Sequence, residues 1–472
     1  MSDLILEAWA SGLIEVAKLR GAPEASATWA PGKKLKLLIA GYNGARNTGE
    51  EVRVEEIVRQ FRRVLGKENT QLSVLTLNPK FSGEYYADAV QIHLPFIFPP
   101  FLYREVPRYD GVAATCGAMF MSKFSSVPSI MMIEALGIAS AQGKLSVAYA
   151  GEAGDMDPML ARMCRRYCAQ TSVIIRNEES RAALQKLGIP SQVGADTAWT
   201  FEPLDTDFGE KTLRSAGWDG TQPVLATCPN NPFWWPVRPS LLKTTAHALT
   251  NAYRDSHYQS IYFHKSGPKV KQAYQRYVAA LGSAIKAFCN RRGVFPILVA
   301  MERLDTDPCQ RISDRLGHIP VFTSEQYNAF QLVSILRTCH LIVSSRYHAI
   351  VTSMPGLVPS AGVTMDERIR NLMRERGHPH LVLEADDPEL HSKLLGVLDQ
   401  LIKDRESISD AIGRTVVQNL GRMAQMGEYF EQDVRRCYPE FPVRSGRLSW
   451  EDYLPPLGQN LRSLAEKYAF ES

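Results

Sequence analysis

The stretch Cys339-His340-Leu341-Ile342-Val343-Ser344-Ser345-Arg346-Tyr347-His348 decides how this chain is read. Its apolar run from Cys339 to Val343 has the composition of a buried strand, and the residues after it open a helix. In a doubly wound α/β domain, strand ends and helix starts border the ligand crevice, so Arg346 and His348 are expected to face a bound anion there. A solvated Arg and a packed His at a helix start are the alternative use of the same residues.

Outward from that stretch, short apolar strands alternate with longer helical segments, the pattern of parallel βαβ units. Strands are expected at 35–40, 72–77, 111–115, 145–150 and 172–175, then at 224–228, 260–263, 296–300 and 341–343. The segment 203–223, with Asp, Gly and Pro around a short helix, separates the two sets. The expected architecture is α/β, with two Rossmann-like doubly wound parallel-sheet domains facing across a cleft. The N-terminal domain covers 33–205 and the C-terminal one 222–386. A helix and linker precede them over 1–32, and a helical extension follows over 387–472.

Composition bounds the function. At 472 residues the chain is long enough for two or three domains of ~150 residues each. Its 22% charged and 45% hydrophobic residues are those of an ordinary globular protein. A net charge of +4, from 54 basic and 50 acidic residues, is too mild to argue for nucleic acid, and no dense Lys/Arg block is present. The first twenty residues carry acids within an apolar stretch and lack a basic start, so they read as an amphipathic helix rather than a signal peptide. No apolar run reaches the ~20 residues of a membrane span. Eight cysteines without a disulfide framework suit a reducing, cytoplasmic setting. Cys164 and Cys168 read as core thiols, and no His/Cys/Asp/Glu constellation calls for a metal.

The loop Gly41-Tyr42-Asn43-Gly44-Ala45-Arg46-Asn47-Thr48-Gly49-Glu50-Glu51 leads into a helix whose Val54, Ile57, Val58, Phe61 and Leu65 fall on one stripe. Glycines at 41, 44 and 49 do not spell G-x-G-x-x-G, and the second strand ends at Asn78, where a ribose would want a carboxylate. Glu50 and Glu51 already complement the positive helix end, so NAD binding is not expected. A tight loop capped by its own Asn side chains is one reading of this segment. Arg176, ending the strand at 172–175, either faces the crevice or pairs with Glu178 or Glu179. Lys265, beside His264 at the end of the strand at 260–263, is either a phosphate partner or a solvated side chain. Trp234 and Trp235 either stack on a sugar or pack under their Pro-rich loop.

The segment SSRYHAIVTSMPGLVPSAGVTMDE at 344–367 resembles the C-terminal signature of the polysaccharide pyruvyltransferase family. There an Arg-x-His triplet opens a helix and an acidic residue follows beyond the next short strand. The loop at 41–51 is similar to that family's N-terminal Gly/Asn-rich loop, and RNEESRAALQKLGI from Arg176 onward follows its Arg-then-helix shape. The resemblance spans about 35–385. The chain departs from it in having Glu50-Glu51 where the family prefers Asp-Glu. It also has Thr115-Cys116-Gly117-Ala118 where the family is richer in glycine, so Cys116 and Ala118 would crowd a ligand.

The resemblance implies a GT-B-like enzyme that needs no cofactor. Its co-substrate would be phosphoenolpyruvate, and its product a sugar carrying a pyruvate ketal. Arg346 and Arg176 would take the donor's carboxylate and phosphate, with His264 and Lys265 as further donor contacts. His348 would be the general acid that protonates the enolpyruvyl methylene carbon. Asp366 would take a proton from the attacking hydroxyl or cap its helix. Asn43, Asn47 and Glu50, with Trp234 and Trp235, would meet the saccharide acceptor. A helix N-terminus disfavours imidazolium by ~0.3–1 kcal/mol. A donor charge at ~4–5 Å favours it by roughly 3–4 kcal/mol at an effective dielectric near 20. His348 is therefore expected neutral when empty and protonated when the donor binds. Two other readings stay open: a GT-B glycosyltransferase using a nucleotide sugar, with Glu367 on the ribose, and a catalytically inactive binding partner. A homo-oligomer is also left open.

Overall fold

The computed structural model describes residues 3–21, 29–365, 367–442, 444 and 448–468. Its first sheet contains β1 (Leu35–Ala40), β2 (Thr70–Thr76), β3 (Val90–His93), β4 (Gly111–Ala114), β5 (Leu145–Gly151), β6 (Ser172–Ile175) and β7 (Gln192–Val193). All pairings are parallel, in the order β3-β2-β1-β4-β5-β6-β7. Six further parallel strands make the second sheet: β8 (Val224–Cys228), β12 (Phe295–Ala300), β13 (Val321–Thr323), β14 (Leu341–Ser344), β15 (Ser360–Thr364) and β16 (Val382–Glu384). Their order is β13-β12-β8-β14-β15-β16. The two sheets make the GT-B arrangement of paired Rossmann-like domains. Each order reverses beside its first strand, between β1 and β4 in one sheet and between β8 and β14 in the other. Loops at the carboxyl ends of those strands therefore part and leave a crevice.

The second sheet departs from expectation at 260–263. Here β9 (Arg238–Pro239), β10 (His257–Gln259) and β11 (Tyr262–Phe263) form a separate three-stranded antiparallel sheet. Ser260 adopts φ +53°, which turns the chain back on itself as a hairpin instead of feeding a parallel ladder. That small sheet reaches the first domain, where the Tyr258 and Tyr42 hydroxyls lie 2.9 Å apart.

The helix Thr48–Leu65 shows how sequence sets the packing. Asn47 caps it, its Oδ1 accepting from the Gly49 and Glu50 amides at 3.1 and 3.3 Å. Val54, Ile57, Val58, Phe61 and Leu65 are all buried. Phe61 stacks on Phe430 of the long helix Arg405–Cys437 at 3.9 Å and meets Tyr149 of β5 edge-on at 5.0 Å. The Gln60 side chain donates to the Met423 carbonyl at 2.9 Å. The C-terminal helix thus returns to close the core of the first domain. No helix among the described residues is long and apolar enough to cross a membrane.

Candidate active site

The loops following β1, β4, β8, β12 and β14 converge on one cavity of about 140 Å³ between the domains. Asn47, Gly49 and Glu50 face Arg346, Tyr347 and His348 across it, while Cys116, Ala118, Trp235, Tyr258, Glu302 and Arg368 complete much of the wall. The domains meet tightly here. The Thr48 amide donates to the Met301 carbonyl at 2.9 Å, and a β-carbon on Gly49 would lie 2.1 Å from His348 Nδ1.

Arg346 caps the end of β14, where the chain turns into the helix Tyr347–Ser353. Its Nε and Nη2 donate to the two Asp305 carboxylate oxygens at 2.7 and 2.5 Å, and Nη2 also reaches Glu302 at 2.8 Å. The Nη1 group keeps no protein partner among the described residues, and the side chain retains 21% exposure within the cavity wall. Burial pushes the Asp305 carboxyl up to about 6, against the pull of Arg346.

His348 sits on the helix turn that follows, buried but within the wall of the cavity. Its Nε2 lies 3.3 Å from Asp196 Oδ2, and the same oxygen accepts from Arg176 Nη1 at 2.6 Å and approaches Arg53 Nε at 3.5 Å. Burial holds the imidazole pKa below its ordinary value, against the pull of Asp196. Burial also presses Asp196 upward, but Arg53 and His348 outweigh it and keep that carboxyl well below the usual range. Burial thus favours the neutral form of His348, and Asp196 is an anion fixed at one of its two nitrogens.

Arg176 occupies a strand end as the sequence suggests, but its partners are not Glu178 or Glu179. It lies between Asp196 and Glu152, with its guanidinium 4.7 Å from the centre of the Tyr347 ring and only 2% of its side chain exposed. In that position it orients Asp196 and hence the imidazole. Around Gly117, charges converge. The Gly117 amide donates to Glu50 Oε1 at 3.0 Å, and a β-carbon there would lie 3.5 Å from Arg368 Nη1 and 3.8 Å from Arg176 Nη1. Cys116 and Ala118 stand in the cavity wall, whereas at Gly117 a β-carbon would meet Glu50 Oε1 at 3.0 Å.

The other sequence-derived candidates divide. Asn47 and Glu50 line the cavity, Asn47 as helix cap and Glu50 bound to Arg53 at 2.8 Å. Asn43 does not reach the cavity: it is fully buried, its Nδ2 donating to the Leu75 carbonyl at 2.9 Å. Trp235 is in the wall, edge-on to Phe124 and Tyr258, whereas Trp234 stacks on His264 at 4.1 Å outside it. His264 is buried away from the cavity, and burial pushes its pKa down to about 4. Lys265 is exposed and also lies outside the lining. Asp366 lies outside the described residues. Glu367 forms a surface ion pair with Lys123 at 2.7 Å. Among the described residues, no group of three or more His, Cys, Asp or Glu is placed to hold a metal ion.

Sequence reading missed Arg53, Glu152, Asp196, Glu302, Asp305 and Arg368. Arg53 is detectable in retrospect as a cation interrupting the buried face of its helix. Asp196 precedes the short 3₁₀ turn Thr197–Thr200 as its cap, which is how its side chain reads in isolation.

Several solved structures share this architecture. The S. aureus MnaA–UDP co-structure aligns with a TM-score of 0.53 at 7% identity, over 88% of this chain and 100% of that one. A UDP-N-acetylglucosamine 2-epimerase aligns with a TM-score of 0.50 at 8% identity, over 88% and 100%. At such identities they show the GT-B fold alone. No curated protein matches this chain in sequence. A family profile described as polysaccharide pyruvyl transferase matches residues 47–366, the span that carries Asn47, Glu50, Arg176, Asp196, Arg346 and His348. The chain is a transferase-type enzyme that belongs to the polysaccharide pyruvyl transferase family.

Proposed function

We propose that this chain transfers the three-carbon unit of phosphoenolpyruvate to a saccharide as a ketal, with His348 as the general acid. The observation that carries the reading is the imidazole of His348, held by Asp196 at 3.3 Å in the wall of a cavity that Arg346 and Arg368 also line. The donor brings close to three negative charges in two planar or tetrahedral oxyanion groups, which guanidinium forks match. Arg346, through its open Nη1 edge, and Arg368 bind those groups, while Arg176 positions Asp196.

Donor binding sets the protonation state. Each donor charge at ~4–5 Å favours imidazolium by roughly 3–4 kcal/mol at an effective dielectric near 20, against the burial that disfavours it. The charged imidazole then gives its proton to the methylene carbon, and the electron pair of the C=C bond forms the new C–H bond. The adjacent carbon becomes cationic, and the carboxylates of Glu50 and Glu302 in the wall stabilise that charge. One sugar hydroxyl adds, phosphate departs with the C–O electron pair, and a second hydroxyl of the same sugar closes the ketal. Of the two hydroxyl protons, one restores His348 and the other leaves with phosphate. Glu50 receives the first hydroxyl proton on its way out. Asn47 and Trp235 lie where the acceptor enters.

A thermal-shift titration tests the donor assignment. Phosphoenolpyruvate is expected to stabilise the protein and UDP not to, with release of inorganic phosphate when an accepted saccharide is added. Stabilisation by UDP without any response to phosphoenolpyruvate overturns the reading.

A further inference from the structure

A second cavity, of about 230 Å³, adjoins the first, and Tyr42, Ser125, Pro128 and Tyr258 belong to the walls of both. Its remaining lining is chiefly hydrocarbon: Leu94, Phe96, Phe98, Val127, Met131 and Ile261 are among the side chains that enclose it. The polar side chains present are engaged apart from that of the exposed Gln259. The Tyr42 and Tyr258 hydroxyls bond each other at 2.9 Å, and Tyr262 donates to Asp3 at 2.7 Å. Ser125 Oγ accepts the Val127 amide at 3.3 Å, and Pro95 and Pro128 have no N–H to offer. A sugar placed here would lose most of its hydrogen bonds to water, with Gln259 the one side chain left to replace any, at a cost of several kcal/mol. A hydrocarbon would lose nothing. The space exceeds the ~150 Å³ of an apolar cavity that admits benzene. At its mouth, Phe96 and Ile97 are 58% and 51% exposed, so the apolar surface continues outward beyond the cavity.

We propose that this cavity holds the hydrocarbon aglycone of the acceptor, so that the substrate is a saccharide joined to an alkyl or isoprenoid chain. The proposal rests on the adjoining cavity being the place where the saccharide is pyruvylated. The chain would enter past Phe96 and Ile97, and the paired tyrosines would mark the point where it gives way to the sugar. Such a cavity binds by burying area, so affinity should climb with chain length until the space is filled.

Calorimetric titration with n-alkyl β-D-glucosides from methyl to octyl, each below its critical micelle concentration, supplies the test. The expected result is about a fourfold gain in affinity for each methylene (0.8 kcal/mol) and a negative heat-capacity change. Met131→Trp, which fills the cavity, should abolish the dependence on chain length while leaving the thermal shift with phosphoenolpyruvate unchanged. Ile261→Trp, at the hairpin corner of the small sheet, serves if the first variant does not fold. With a saccharide that is turned over, the alkyl glycoside should show a KM at least tenfold below that of the methyl glycoside, and the Trp variant should erase the difference. Affinity independent of chain length, or unaffected by either Trp substitution, overturns the aglycone proposal even where phosphoenolpyruvate still stabilises the protein. Chain-length-dependent binding without a KM advantage also overturns it. The converse result, alkyl binding with no response to phosphoenolpyruvate, would count against the donor reading instead.

Discussion

Replacing Asp196 with Asn should disable the acid without removing it. Asp196 Oδ2 lies 3.3 Å from His348 Nε2. At an effective dielectric near 20, that charge favours imidazolium by about 5 kcal/mol, a ceiling that structural relaxation lowers. Even a third of it reduces the protonated fraction of a half-titrated imidazole about ninefold. Arg176 and Arg53, released from the same oxygen, would repel a positive ring further. The alkaline limb of kcat should therefore move to lower pH in Asp196→Asn, and kcat at neutral pH should fall at least tenfold. The affinity for phosphoenolpyruvate should change less. The assay is steady-state phosphate release against pH, with Tm recorded in parallel because leaving buried guanidiniums underpaired costs about 3–5 kcal/mol. If a folded, donor-binding Asp196→Asn protein keeps the wild-type limb, Asp196 does not set the charge of His348, and the acid assignment loses its support.

Gly49→Ala would put a methyl group 2.1 Å from His348 Nδ1, so the ring must move by about 1 Å. The expected loss is on the order of 10²-fold in kcat, with a fall in Tm because overpacking costs about 1–3 kcal/mol, more than the helix gains from Ala. Arg346→Lys keeps the charge but not the fork, and should weaken phosphoenolpyruvate binding at least tenfold in the thermal-shift titration. Glu134 is fully buried with neither carboxylate oxygen bonded among the described residues, and burial pushes its pKa up to about 8. The folded state therefore holds a proton that the unfolded chain, near 4.5, gives up sooner. Stability from this group is complete below about 4.5 and falls by ~1.4 kcal/mol per pH unit as pH rises towards 8. Glu134→Leu should flatten that decline in denaturant titrations at pH 5, 7 and 9.

Much of this was legible in the residues themselves. The apolar strands at 35–40, 145–150 and 224–228 announce parallel sheets because they are buried on both faces, and the stripe on the helix at 48–65 points inward as its period requires. The Arg346-Tyr347-His348 triplet does lie at the crevice, since it follows β14, beside the point where the strand order reverses. The carboxylates around it were not legible. Asp196, Glu152 and the pair Glu302 and Asp305 come from three separate connections, and nothing local marks a charge whose partner is 41 or 152 residues away. Arg176 shows the same limit, because position at a strand end does not reveal which acids will meet it. Ser260 to Phe263 has strand composition, yet propensity cannot say which sheet a strand will join.

The account depends most on the state of one ring. The 15N shift of the His348 imidazole, identified by its absence in His348→Gln, can be followed at pH 7 while phosphoenolpyruvate is added. The prediction is a neutral imidazole in the empty protein that becomes imidazolium at saturation. An imidazole that stays neutral in the saturated protein, or one already charged before the donor arrives, would contradict it.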